Sequence, residues 1–144
     1  MKIVKTFSFD LAHMLDGHDG KCRNLHGHTY KLEVEISGSL AQGGAKDGMV
    51  MDFADVKACV KHWVAEPFDH AFVYNRHSER ESRLAALLQN WQLKTVAMDK
   101  RTTAENMAQH MFCLLRQQGG LNVSAIRLWE TPTSYCEYTG ANHD

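Results

Sequence analysis

The sequence predicts an α+β protein built on an antiparallel sheet, and two observations predict it. Strand-like alternating segments are adjacent at the start of the chain and again at its end, where antiparallel pairing is the natural outcome. Between them, segments of helical periodicity mix with short strands, and no internal repeat, low-complexity tract or interdomain linker interrupts the order. A length of 144 residues fits one domain, 1–144, that buries about 68–70% of its unfolded surface.

Residues 2–11 alternate well enough for a strand, with Phe7, Phe9 and Leu11 sharing a face with His13. The loop Asp16-Gly17-His18-Asp19-Gly20 then leads to Cys22. His26-Gly27-His28 opens a second run, in which Tyr30, Leu32, Val34 and Ile36 lie opposite Lys31, Glu33 and Glu35. The glycine-rich stretch 38–48 is a turn region before a short strand over 49–51. Asp52 is a good N-cap for a helix with the stripe Phe53, Val56, Val60 and Trp63, ending before Pro67. A second helix is predicted over 78–91 and a strand over 93–98. Thr102 and Glu105 form a capping box for a third helix, which turns Met107, Met111, Leu114 and Leu115 inward until Gly119-Gly120 stops it. The last strands cover 123–130 and 135–139, joined through Thr131-Pro132-Thr133.

Composition narrows the function. A 44% hydrophobic and 23% charged chain is globular, not disordered. A net charge of −1 gives no global attraction to nucleic acid or anionic membrane, so an anionic ligand needs a local patch. Met1-Lys2-Ile3-Val4-Lys5 lacks the apolar core of a signal peptide, and no run approaches membrane-spanning length. The four cysteines, Cys22, Cys59, Cys113 and Cys136, are widely spaced, and without a secretion signal they read as free thiols of a cytoplasmic protein.

The chemistry concentrates near the start of the chain. His26 and His28, two apart on a strand, point to one face. If the first two strands pair, His13 joins them, and three imidazoles with one open position make the usual catalytic zinc site. Such a site also suits iron, copper or nickel, and His18 in the connecting loop is a competing ligand. Cys22 has two metal-linked readings. It completes a closed structural shell of one thiolate and three imidazoles, or it stays free near the ion as nucleophile or base, where the flanking Lys21 and Arg23 favour a thiolate. A buried apolar thiol fits Cys59 and Cys113 better, since both lie in helical patterns.

Asp69-His70 precedes Ala71-Phe72-Val73. Adjacent side chains on an extended segment point apart, so each is expected to work with a different partner, the histidine as proton shuttle. Glu130 shares the face of Ile126 and Leu128 in a largely apolar strand, where a carboxylate must be paired. It is either a structural ion-pair partner or an acceptor for two N–H donors of a flat heterocycle.

Taken together, these residues resemble the 6-pyruvoyltetrahydropterin synthase family. His13, Cys22-Arg23-Asn24-Leu25-His26-Gly27-His28, Phe68-Asp69-His70, Thr103-Ala104-Glu105-Asn106 and Trp129-Glu130-Thr131 occur in the family's order, from about residue 6 to 140. The three-residue gap between Cys22 and His26 is similar to the bacterial 6-carboxytetrahydropterin synthases of queuosine (7-deazaguanine) biosynthesis; the pyruvoyl-forming enzymes usually carry a longer one. Thr102 stands where relatives usually have Pro, and residues 76–100 are longer than in the most compact bacterial members.

The resemblance implies a tunnelling fold: a four-stranded antiparallel sheet with helices on one face, three subunits joined edge to edge into a barrel, and two barrels stacked into a homohexamer. It implies zinc on His13, His26 and His28, with Cys22, Asp69, His70 and Glu130 as catalytic residues and active sites shared between subunits. Glu130, Thr103 and Arg23 would contact substrate, with Lys21, Arg23, Lys100 and Arg101 available to a triphosphate. The implied reaction is a lyase conversion of 7,8-dihydroneopterin triphosphate to 6-carboxy-5,6,7,8-tetrahydropterin, acetaldehyde and triphosphate. The alternatives are the pyruvoyl-forming reaction on the same substrate, or a non-enzymatic protein with a structural zinc site.

Overall fold

The computed structural model describes residues 1–140. Its first two strands are longer than the alternation alone indicated: β1 (Lys2–His13) and β2 (His26–Ser37) pair antiparallel along their whole length. The pairing sets Phe9 opposite Tyr30, Leu11 opposite His28 and His13 opposite His26. Phe9, Leu11, Tyr30, Leu32, Val34 and Ile36 are buried on one face, so a one-residue slip would turn this whole set to solvent. That burial fixes the register that brings the histidines together.

The sheet has six strands in the order β4-β3-β1-β2-β5-β6, where β3 is Ala71–Asn75, β4 Thr95–Met98, β5 Val123–Thr131 and β6 Ser134–Tyr138. It is mixed, which corrects the expected four-stranded antiparallel sheet: β3 lies parallel to both β1 and β4. The helix α3 (Glu79–Asn90) makes the β3–α3–β4 crossover that parallel neighbours require. Ser78 caps α3 by accepting from the Glu81 N–H.

Residues 49–51 form no strand. The helix after Asp52 also runs past its expected end, as α1 (Phe53–Val60), a π-helical turn (Lys61–Ala65) and α2 (Glu66–Phe68), with Pro67 inside the last turn. The four-residue spacing of buried Val56, Val60, Val64 and Phe68 explains the wide turn. An α-helix would rotate such a row gradually off the core, and a π turn resets it. Phe53, expected in that stripe, is half exposed.

The helix α4 (Ala104–Gln117) is capped by Thr103 and not Thr102, with the Thr103 hydroxyl accepting from the Asn106 N–H. Its Met107, Met111 and Leu115 pack with Val60, Val64 and Phe68 on the inner face of the sheet. Phe72, next to core-facing Ala71 and Val73, turns to the other face and meets Leu88 of α3 and Leu93 in one cavity. Helices therefore lie on both sides of the sheet, which corrects the expectation of helices on one face.

Candidate active site

The imidazoles of His13, His26 and His28 meet at the end of the β1–β2 pair. Ring centroids lie 4.6 Å apart for His13–His26, 5.0 Å for His26–His28 and 5.5 Å for His13–His28. One nitrogen from each falls within 4.8 Å of the other two. Gly27 makes this spacing possible, because a Cβ there would stand 2.8 Å from the Leu11 carbonyl oxygen.

Backbone carbonyls orient two of the rings. His13 Nδ1 donates to the Thr102 carbonyl at 2.8 Å, and His26 Nδ1 donates to the Asn24 carbonyl at 2.7 Å. With Nδ1 occupied, each ring keeps its Nε2 lone pair for an ion, the usual support of a ligating histidine. His13 is 1% exposed, and burial holds its pKa below the ordinary imidazole value, which keeps that lone pair unprotonated. His28 Nε2 is buried without a hydrogen-bond partner among the described residues. An orphaned nitrogen beside two oriented imidazoles fits a metal ion, and the donor set suits zinc chemistry.

The Cys22 sulfur is not in that donor set. It sits in a short 3-10 turn, Lys21–Arg23, partly buried and close enough to Tyr30 to act on its ionisation. Burial first, then the Glu130 carboxylate, raises the Tyr30 pKa far above the usual phenol value, so Tyr30 is a neutral donor. His18 stays outside the cluster, its Nδ1 accepting from the Gly20 N–H at 2.8 Å.

Glu130 reaches the cluster from β5, where the β5–β6 register shifts between Trp129 and Thr131. Its Oε1 lies 3.6 Å from His28 Nε2, and its Oε2 accepts from the Tyr30 hydroxyl at 3.4 Å. No lysine or arginine pairs with it among the described residues, so an ion pair with a fixed cation does not account for it. Glu130 and Thr103 line one cavity of about 250 Å³ with Glu105, Leu15, Tyr135 and Cys136. Burial pushes the Cys136 thiol up to about 11.

Neither Asp69 nor His70 belongs to the imidazole group of its own chain. Nor do they point apart: His70 takes a left-handed conformation, φ 59°, and its Nδ1 sits 3.0 Å from Asp69 Oδ1. The other face of that turn is held by the Asp10 N–H, which donates to Asp69 Oδ1 at 3.0 Å and lowers its pKa. The His70 side chain is 77% exposed, at a cavity lined also by Asp10, Leu11, Gly27, His28 and Lys94.

Three contributors escape a reading of side-chain motifs. Tyr30 continues the His26, His28 face by two residues and was visible as a core position only. Asn24 and Thr102 act through backbone carbonyls, which no residue type announces.

The family model described as 6-pyruvoyl tetrahydropterin synthase matches residues 2–141. The chain is 59% identical over 137 residues to a 6-carboxy-5,6,7,8-tetrahydropterin synthase of Haemophilus influenzae, covering 95% of this chain and 97% of that protein. It is 33% identical over 142 residues to the enzyme of the same name from Rickettsia felis, covering 95% and 99%. Among solved structures, an uncharacterized protein from Wolinella succinogenes superposes with a TM-score of 0.79 at 23% identity, covering 98% of each chain. The Caenorhabditis elegans 6-pyruvoyl tetrahydropterin synthase gives 0.69 at 24% identity, covering 98% of this chain and 96% of that one, a likeness of fold. A match to the family model that runs almost from end to end, and relatives aligned over nearly their full lengths, make this chain a member of the 6-pyruvoyl tetrahydropterin synthase family.

Proposed function

We propose that this protein is a zinc-dependent 6-carboxy-5,6,7,8-tetrahydropterin synthase. It would convert 7,8-dihydroneopterin triphosphate to 6-carboxytetrahydropterin, acetaldehyde and triphosphate, in the cytoplasm, on the route to queuosine. The observation that carries the reading is the meeting of three imidazoles, two of them oriented by backbone carbonyls, with one carboxylate, Glu130, that has no fixed cation. The 59% identity to a relative bearing that name supports the carboxy over the pyruvoyl product.

In this reading His13, His26 and His28 hold the metal, which supplies Lewis acidity toward the hydroxyl oxygens of the substrate side chain. Glu130 accepts N–H donors of the pterin ring, with Thr103 at the same cavity, and so sets the side chain over the imidazoles. Cys22, outside the donor set, removes a proton from that side chain. His70, held by Asp69, returns protons.

His70 stands exposed and outside the imidazole group of its own chain, which supports its service to a neighbouring subunit's histidines. The edge strands β4 and β6 each leave one side unpaired, and joining such edges into barrels of a homohexamer would satisfy them. The test is product analysis: the purified protein is incubated with dihydroneopterin triphosphate, and the pterin and any two-carbon fragment are identified by mass spectrometry. Acetaldehyde with 6-carboxytetrahydropterin is expected. Turnover without acetaldehyde would assign the pyruvoyl-forming reaction instead, and no turnover would leave a structural metal site.

A further inference from the structure

We propose that the polar cavity lined by Asp16, Gly17, His18, Arg23, Asn24 and Arg80 binds an oligophosphate, the triphosphate end of the substrate, and that Arg80 is its principal new contact. The identity of that ligand rests on the function proposed above. The cavity, of about 490 Å³, is built from the loop after β1, the 3-10 turn and the first turn of α3.

Its charge is of the right sign. Arg23 and Arg80 face one carboxylate, Asp16, and Arg101 leans in from behind, donating from Nη2 to the Asp16 carbonyl at 3.2 Å. The Asp16 carboxylate is already engaged, accepting from the Ser78 hydroxyl at 2.8 Å and lying 4.0 Å from Arg80 Nη1. One of its oxygens is thus taken by Ser78, and the other faces the exposed guanidinium of Arg80. The Arg23 guanidinium has no side-chain partner among the described residues. His18 Nδ1 accepts from the Gly20 N–H, which leaves its proton on Nε2 as a donor. Asp19 is fully exposed, with its Oδ1 3.8 Å from His18 Nδ1 and no ion pair with Arg23 or Arg80 among the described residues. In a chain of net charge −1, a local site of this kind is what an oligophosphate requires. Planar guanidinium forks suit phosphate oxygens best.

Position supports the assignment as strongly as charge. Leu15 lines the Glu130 cavity, and its neighbour Asp16 lines the basic one, so the loop after β1 divides the two. The imidazoles join both sides: His28 meets Glu130, and His26 donates to the carbonyl of Asn24, a wall residue of the basic cavity. A ligand with a flat ring, a short oxygenated chain and a phosphate tail would span this arrangement in that order. Other basic residues are placed less well. Lys100 is turned to Gln109 at 3.1 Å, and Lys94 is bound by the carbonyls of Glu66 and Asp69.

The test uses the metal-loaded, full-length protein and two readouts. Calorimetry with inorganic tripolyphosphate should show binding that Arg80→Ala weakens about 10- to 100-fold, the range of one charge-assisted hydrogen bond. Arg80→Lys should recover part of it, and Arg83→Ala, which removes the same charge from the exposed part of α3, should leave affinity unchanged. With dihydroneopterin triphosphate, Arg80→Ala should raise KM by a similar factor and spare kcat. Tripolyphosphate affinity equal in wild type and Arg80→Ala would overturn the subsite even if the enzyme turns over normally. Arg80-dependent tripolyphosphate binding in a protein that does not turn over the pterin would uphold the anion site while removing the activity on which its ligand was named.

Discussion

Glu130 Oε1 lies 3.6 Å from His28 Nε2, while its other oxygen receives the Tyr30 hydroxyl. A single carboxylate thus borders both the imidazole cluster and the cavity that extends toward Thr103 and Tyr135. In the proposed reaction this one side chain would couple ring recognition to metal chemistry, and the coupling is testable from either end.

Glu130→Gln keeps size and shape but replaces an acceptor oxygen with a donor. Facing a pterin N–H, it would leave two donors unpaired, at a cost of roughly 1–3 kcal/mol per group. Calorimetric titration with biopterin should show weaker binding by the variant, with metal content and folding unchanged. Equal affinity in the two proteins would remove Glu130 from the pocket.

Cys22→Ala should retain the metal and lose most of the turnover, because the thiol lies outside the imidazole donor set. Loss of a general base costs about 10²–10⁴ in rate. Metal analysis alongside kinetics checks both halves, and loss of zinc together with activity would make Cys22 a ligand.

Gly27→Ala should damage the site without touching a ligand. The added methyl would sit 2.8 Å from the Leu11 carbonyl oxygen, so β1 and β2 must part where His13, His26 and His28 converge. Overpacking of this kind costs about 1–3 kcal/mol. Thermal unfolding of the metal-free protein should show the loss, and zinc titration a weaker site. An unchanged melting temperature with unchanged zinc affinity would contradict the close approach.

Much of this arrangement is legible in the sequence, for a physical reason. A strand has period two, so His26, His28 and Tyr30 announce a shared face, and alternating Phe9 and Leu11 carry His13 to the same side. The fold's parallel half is not legible in this way. β3 is five residues long, and its pairing with β1 joins Ala71 to Leu11 across the chain, a contact that no local pattern encodes. The cap of α4 moved one residue, from Thr102 to Thr103, because two adjacent threonines offer equal hydroxyls and tertiary structure turned Thr102 toward His13. Asp69 and His70 meet only because His70 adopts a positive φ, which an extended reading cannot foresee.

Acid should reveal the Glu35 network. Glu35 is 5% exposed, and Lys2, Ser124 and Arg127, at 2.9, 2.7 and 2.9 Å, hold its pKa down to about 2 from an ordinary 4.5. The unfolded chain therefore takes up the proton first as pH falls. The stabilisation, about 3 kcal/mol, is complete above pH 4.5 and drains away toward pH 2. Denaturant unfolding of wild type and Glu35→Gln should differ by that amount at pH 7 and by about 1 kcal/mol at pH 3. A gap that does not narrow would show that the carboxylate's charge is not what the network stabilises.

The most direct measurement of the central claim is turnover of dihydroneopterin triphosphate before and after removal of bound metal by a chelator. The three-imidazole site predicts that wild type loses activity on chelation and regains it with one equivalent of zinc per chain. His26→Ala should regain neither metal nor activity, and His18→Ala should regain both. A metal-free wild type that still produces 6-carboxytetrahydropterin at its original rate would contradict the account.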